Sequence, residues 1–444
     1  MKAQARSLRP WQLQGTPRLI GVRGAVGRTQ WSFQGEALPP GETTPLKAMG
    51  AFQLSGPSLA AVGQPLGVTL PTTAAFQMSG LVHLAGDITH VTVKQATVGD
   101  SRLAGEFRHD RSQRPSALSG RLTGQRLALV DLGPAVGVPS PEQAGAPRQR
   151  VLPDKAFNLP SLKAMNADVD VAIDLFDSGS AALQPMRDLR GHIDLQGGLL
   201  RLERLSTRLA SGRVQGLIEL DARQGPPARL RADLNLDDVR IEQWVKVLQR
   251  NNQAPYLSGN LSGGIDVTGR GQSVAQMLGS LDGVANLTLA QGEVSHLGIE
   301  LAGLDLMQGL FEFIKGDESL KVNCAQLQLQ ARQGLVTPHP AIVSTRDSTL
   351  WAEGVVSMRD ETMDLRAHVA PKDFTLVSLR TPVHVEGPWQ GPRVHVLQPS
   401  TWARLLGAVA LATVHPLAAM VPLVDPGQRD AARAADERCR QAAR

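Results

Sequence analysis

Few side chains in this sequence are spaced for chemistry. The ten histidines are scattered. His384 and His395 fall on alternating segments beside valines, and His339 sits between Pro338 and Pro340 in what reads as a loop. There is no HExxH helix and no His–carboxylate grouping at ligand spacing, so no metal and no cofactor is expected. Gly279-Ser-Leu-Asp-Gly283 carries its serine one place too early for a strained GxSxG elbow. Gly269-Arg-Gly271 leads from a strand into a helix, as a phosphate loop does. Val274 stands where the third glycine belongs and no Walker lysine follows, so it reads as a turn. Asp237 and Asp238 stand at an expected helix start, where capping explains them. No nucleophile, base and orienter come together, and the chain does not read as an enzyme. Cys324 and Cys439 are the two cysteines, with no CxxC. One disulfide in an oxidising compartment and two unpaired thiols both fit the sequence.

Function must therefore lie in the framework. The 444 residues include 44 Gly and 29 Pro with no collagen or linker period, which implies many turns and many short strands. Aromatic residues make up 4%. The net charge of +5 is spread along the chain without a block of like charges, so no nucleic-acid partner is expected. The first ten residues hold no apolar stretch of signal-peptide kind. Strand-like sequence begins by Trp11-Gln-Leu-Gln-Gly15, so the chain reads as opening inside its own repeat.

A short alternating run ending in glycine recurs throughout: Trp31-Ser-Phe-Gln-Gly35, Phe52-Gln-Leu-Ser-Gly56, Phe76-Gln-Met-Ser-Gly80, Leu257-Ser-Gly259. Residues 1–135 read as strands and turns. The stretches after Gly56 and Leu129 each read as a short helical turn before a Pro-limited bend. Residues 136–160 read as a loop or disordered insertion. Residues 161–256 hold the clearest alternation: Val214, Gly216, Ile218 and Leu220 share one face of a strand, and Leu230, Ala232, Leu234 and Leu236 one face of the next. Their opposite faces are mostly charged or amide-bearing, as in antiparallel sheets wet on one side. An Asp-capped amphipathic helix is expected over Asp237–Leu248.

From 257 to 425, strands are expected at 264–268, 283–290, 325–330, 350–358, 363–369, 383–386 and 394–397. A short helix capped by Ser273 interrupts them, as does a longer one over His296–Lys315 that covers the sheet. Residues 405–424 carry no formal charge and could just span a bilayer core of about 30 Å, but Pro416 and Pro422 break them, and a buried or interfacial helical hairpin is expected ahead of a span. A polar tail, 426–444, follows.

The string Leu257-Ser-Gly-Asn-Leu-Ser-Gly-Gly-Ile-Asp-Val-Thr-Gly-Arg-Gly-Gln-Ser-Val-Ala-Gln-Met-Leu-Gly-Ser-Leu-Asp-Gly283 resembles the C-terminal region of AsmA-family proteins. So do the following strands and Val294–Leu301, Cys324 with the strand after it, and Pro422-Leu-Val-Asp-Pro426 with a later cysteine. Residues 50–135 resemble that family's looser upstream repeats. The resemblance implies a mainly β fold with a few helices: an elongated, curved antiparallel sheet forming an apolar groove, with helices capping its C-terminal region. It also implies a Gram-negative periplasmic protein, associated with the inner membrane through an N-terminal anchor helix not found in this sequence. The implied partners are phospholipid or another acyl lipid, the inner and outer membranes, and outer-membrane assembly proteins. Aliphatic residues on the alternating faces are the candidate groove lining: Val214, Ile218, Leu220, Leu230, Leu234, Leu236, Leu287, Leu289, Leu327 and Leu329. Two functions follow from it. One is non-enzymatic binding or conduction of phospholipid along the groove. The other is a structural part in outer-membrane protein assembly without lipid carriage.

Overall fold

The computed structural model describes residues 18–38, 45–66, 70–132, 151–179, 183–245, 257–295, 319–346, 348–372, 383–395 and 429–442. Among them, twenty strands form one sheet. The first seven are β1 (Arg18–Val26), β2 (Thr29–Leu38), β3 (Lys47–Gly56), β4 (Phe76–Ala85), β5 (Ile88–Val98), β6 (Ser101–Asp110) and β7 (Ser116–Ala128). Next come β8 (Met165–Asp177), β9 (Met186–Gln196), β10 (Leu199–Leu209), β11 (Gly212–Asp221), β12 (Ala228–Arg240), β13 (Leu257–Gly271) and β14 (Asp282–Ser295). The last six are β15 (Ser319–Arg332), β16 (Leu335–Thr345), β17 (Ser348–Ser357), β18 (Thr362–Pro371), β19 (Val383–Pro388) and β20 (Arg393–His395).

Each strand pairs with the next in sequence, as expected when short turns join alternating runs. The sheet is curved and unclosed. At about 4.8 Å per strand it extends roughly 90 Å along its hydrogen-bond direction.

One step breaks the antiparallel rule: β7 and β8 are parallel, with Ser116 opposite Met165 and Gly124 opposite Ile173. The chain leaving β7 must therefore return to the opposite rim before β8 can start. Residues 151–163 make the last part of that return as a strap along the rim. Val151 and Leu152 donate their backbone N–H groups to Glu361, in the β17–β18 turn, at 2.5 and 3.4 Å. The Ala275 N–H donates to Pro153, and the Phe157 N–H to Gln272, each through backbone carbonyls. A 3-10 turn over Leu159–Lys163 buries Leu159 against Ala222, Ala228 and Met277, and Lys163 donates to the Arg223 carbonyl. Of residues 136–160, the described part, 151–160, bonds and packs along this rim.

Among the described residues the helices are short: α1 (Ala60–Leu66), α2 (Ile241–Trp244), α3 (Val274–Gly279) and α4 (Arg429–Ala442). The expected helical turns after Gly56 and Leu129 are α1 and a 3-10 turn over Leu129–Leu132. Ser273 caps α3, its side chain accepting from the Gln276 N–H. The expected helix at Asp237 is corrected. Asp237 is still in β12, opposite Arg213, Asp238 occupies a bulge with φ 56°, and α2 starts only at Ile241 without a side-chain cap. The alternation of β12 persists through the aspartates, so they serve a strand bulge and not a helix dipole. His339 is also corrected: it lies in β16, at a bulge that accommodates Pro338 and Pro340. The expected helix at 296–315 and the uncharged stretch 405–424 lie outside the described residues.

Cys324 and Cys439 form a disulfide between β15 and α4. Around it Ala435 and Cys439 are buried against Ile342 and Trp351. Asp436 accepts from Thr349 at 3.0 Å and pairs with Lys372 at 2.8 Å. A helix does cap the C-terminal strands, and the register shows on which face. Ile342 opposes Gln326 and Trp351, whereas its neighbour Ala341 opposes Leu327 and Ala352. Successive residues of a strand point to opposite faces, so α4 lies on the face opposite Leu327.

Candidate functional site

The ten aliphatic lining candidates lie on four strands, and the register puts all of them on one face. Val214 opposes Leu236 and Leu220 opposes Leu230 across β11–β12. Gly263 of β13 stands between Leu236 and Leu287, and Ile265 stands beside Leu234. Leu287 opposes Leu327 in β15, Leu329 follows two residues along, and Leu289 opposes Ala325. Ile218, opposite Ala232, lies in the same set. Directly opposed residues share a face, so this is one apolar surface.

That surface extends far beyond those ten residues. One row of opposed residues starts at Ile20 in β1 and passes through Val82, Phe107 and Ile193. It continues through Ile218 and Val267 and reaches Met363 in β18 and Gly387 in β19. Every member of this row is Gly, Ala, Val, Ile, Leu, Met or Phe. Most of its larger side chains are half-buried rather than sealed, Ile218, Phe107 and Met363 among them. Over β15–β17 α4 covers the opposite face, while over β8–β12 that face is wet and charged. There Arg201 bridges Glu219 at 3.1 Å and Asp194 at 3.6 Å, and His192 meets Asp170 at 3.0 Å. Arg223 holds the Asp221 carboxyl down at about 2.

Glycine on the apolar face lets the strands come close and bend. Gly263 has φ 142°, and a Cβ there would sit 2.0 Å from the Asn286 carbonyl oxygen. This conformation is essentially reserved for glycine, and glycine kinks of this kind curve sheets.

Short elements close the two rims. On one rim, Val62 of α1 packs with Phe76 and Val98, and Trp244 of α2 packs against the cluster that holds Leu236, Val239 and Leu287. On the other, Leu159 of the strap and Met277 of α3 pack with Leu220 and Leu230, while Leu281 and Leu278 pack beside Leu329. Between the rims, Ile218 and Leu234 belong to none of these buried clusters and stay half-buried. The result is a trough with packed rims and an apolar floor. Among the described residues there is no cluster of His, Cys, Asp or Glu able to hold a metal, and no helix long and apolar enough to cross a membrane.

Local alternation exposed the lining in β11–β15. It missed the matching floor in β1–β10, where glycines and aromatics interrupt the aliphatic pattern. There Gly24 lies under the Trp31 indole and Gly80 beside Phe52. The usable signal was the recurring aromatic–x–x–x–Gly spacing, whose meaning appears only once strands are paired.

A long β-meander with one charged face and one continuous apolar trough defines a class of non-globular groove proteins. Residues 57–341 match the sequence model of the AsmA family, and the chain belongs to that family. AsmA is a family of the cell envelope. The chain is similar to the AsmA family protein YhjG of Escherichia coli (strain K12), with 28% identity over 94% of this chain. It spans about 63% of that relative's length. No solved structure matches it.

Proposed function

We propose that this protein is a non-enzymatic carrier of acyl lipid in the cell envelope, holding or conducting phospholipid in its trough between inner and outer membrane. The observation that carries the reading is the uninterrupted apolar row from Ile20 to Gly387. Ordinary cores are closed clusters, whereas a row running along the hydrogen-bond axis offers a path. Each methylene taken from water contributes about 0.8 kcal/mol, so roughly ten methylenes bring about 8 kcal/mol before ordering costs. A floor of aliphatic side chains gives an acyl chain no fixed polar partner to leave behind as it slides. The Cys324–Cys439 disulfide suits an oxidising compartment such as the periplasm.

The test is native mass spectrometry with lipid extraction on the purified chain, beside Leu234→Asp. Leu234 lies mid-floor and outside the buried clusters, so the variant should fold and lose stoichiometric phospholipid. A folded wild-type protein without lipid sinks the reading. In that case the free edge of β1, which among the described residues pairs only with β2, favours the second function. Such an edge can take a strand from an outer-membrane assembly partner.

A further inference from the structure

A second register row runs parallel to the apolar row, nearer the strap-bearing rim. Ala48, Leu84, Thr89, His109, Leu118 and Ala167 oppose one another in turn. The row continues through Leu195 and Leu200 to Leu220 and Leu230. From Ala48 to Leu230 its members are Ala or Leu apart from Thr89 and His109, and beyond Ala48 it passes through Ala37 to Arg18 at the edge strand. His109 is 5% exposed, and its Nε2 has no hydrogen-bond partner. Buried polar atoms are nearly always paired, and an orphan is a cost that a bound partner removes.

We propose that His109, with Thr89 opposite it, is a polar station in the trough that donates a hydrogen bond to an ester carbonyl of the bound acyl lipid. This rests on the acyl-lipid reading given above and assigns a contact within it. An imidazole nitrogen donates or accepts according to tautomer. An ester offers only acceptors, so the lipid selects the tautomer protonated at Nε2. Burial, reinforced by Arg111 and opposed by Asp110, holds the His109 pKa below its ordinary value. The ring is then neutral near neutral pH, which suits an uncharged carbonyl better than a phosphate. A chain aligned with the apolar floor would place its ester end against the one ionisable side chain that these rows hold inside the sheet, Arg18 standing at the β1 edge. The station would distinguish how the chains are linked and be indifferent to the headgroup.

The experiment is a displacement titration on the full chain. A fluorescent-tailed phosphatidylglycerol is displaced by diester phosphatidylglycerol or by its diether analogue with the same chain lengths. Wild-type protein should prefer the diester about tenfold, the equivalent of one hydrogen bond. His109→Leu should lose that preference while binding the diether as wild type does, and His109→Gln, which keeps a donor, should restore part of it. Equal wild-type binding of the two lipids overturns the station and leaves the trough standing. A diester preference that survives in His109→Leu also overturns it. Binding of neither lipid by wild type overturns the trough and the station together. Should His109→Leu not fold, the wild-type comparison and His109→Gln still decide.

Discussion

Cys439, on the last helix, is bonded to Cys324 in β15 across a sequence separation of 115. The bond lies on the sheet face opposite Leu327, so it fastens the C-terminus without entering the trough. Closing so long a loop should stabilise by about 2–4 kcal/mol. The double variant Cys324→Ser/Cys439→Ser should lose about that much in urea unfolding and retain whatever lipid the wild type holds. Loss of lipid from a still-folded double variant would show that α4 takes part in the trough after all.

Adjacent glycines in β13 should behave differently. Gly263→Ala places a methyl 2.0 Å from the Asn286 carbonyl oxygen at φ 142°, and should cost about 2–3 kcal/mol. Gly264 points to the other face, and a Cβ there meets nothing within 4 Å. Gly264→Ala should stay within about 0.5 kcal/mol of wild type. Thermal unfolding of the pair checks this, and equal shifts would remove the account of glycine given for the curved sheet.

Glu361 holds the strap to the β17–β18 turn through two backbone N–H groups. In Glu361→Ala those donors lose a charged acceptor, at about 1–3 kcal/mol. Hydrogen exchange should quicken first at Val151 and Leu152 and then at Phe157, while the strand β3–β4 ladder keeps its protection. Uniform acceleration across the sheet would mean that the strap is part of global folding and not a separable rim.

Protonating His109 should destabilise the fold. Burial depresses its folded-state pKa below the ordinary 6.5, so the neutral form is favoured on folding. Its contribution is complete above pH 6.5 and is lost as pH falls through the lower folded value. His109→Leu should flatten the stability profile in that acid window and leave it unchanged above pH 7. Denaturation midpoints at stepped pH test this, and a profile that is the same in both proteins rules out the assignment.

Alternation alone made the β class legible, because a strand half in water writes its two faces at period two. The faces of β11 and β12, from Val214 to Leu236, were readable for that reason, and so was the Ser273 cap, a local hydrogen bond. Asp237 misled because a bulged strand end and a capped helix start share the same acidic residues. β16 escaped because Pro338 and Pro340 argue against a strand unless a bulge takes them up. Whether Cys324 and Cys439 pair, which face α4 covers, and that the strap ends on Glu361 are matters of residues far apart in sequence. So is the union of separate apolar faces into one row from Ile20 to Gly387. Register between strands creates that row, and register is settled by pairing and packing along the whole sheet, which no local stretch of sequence contains.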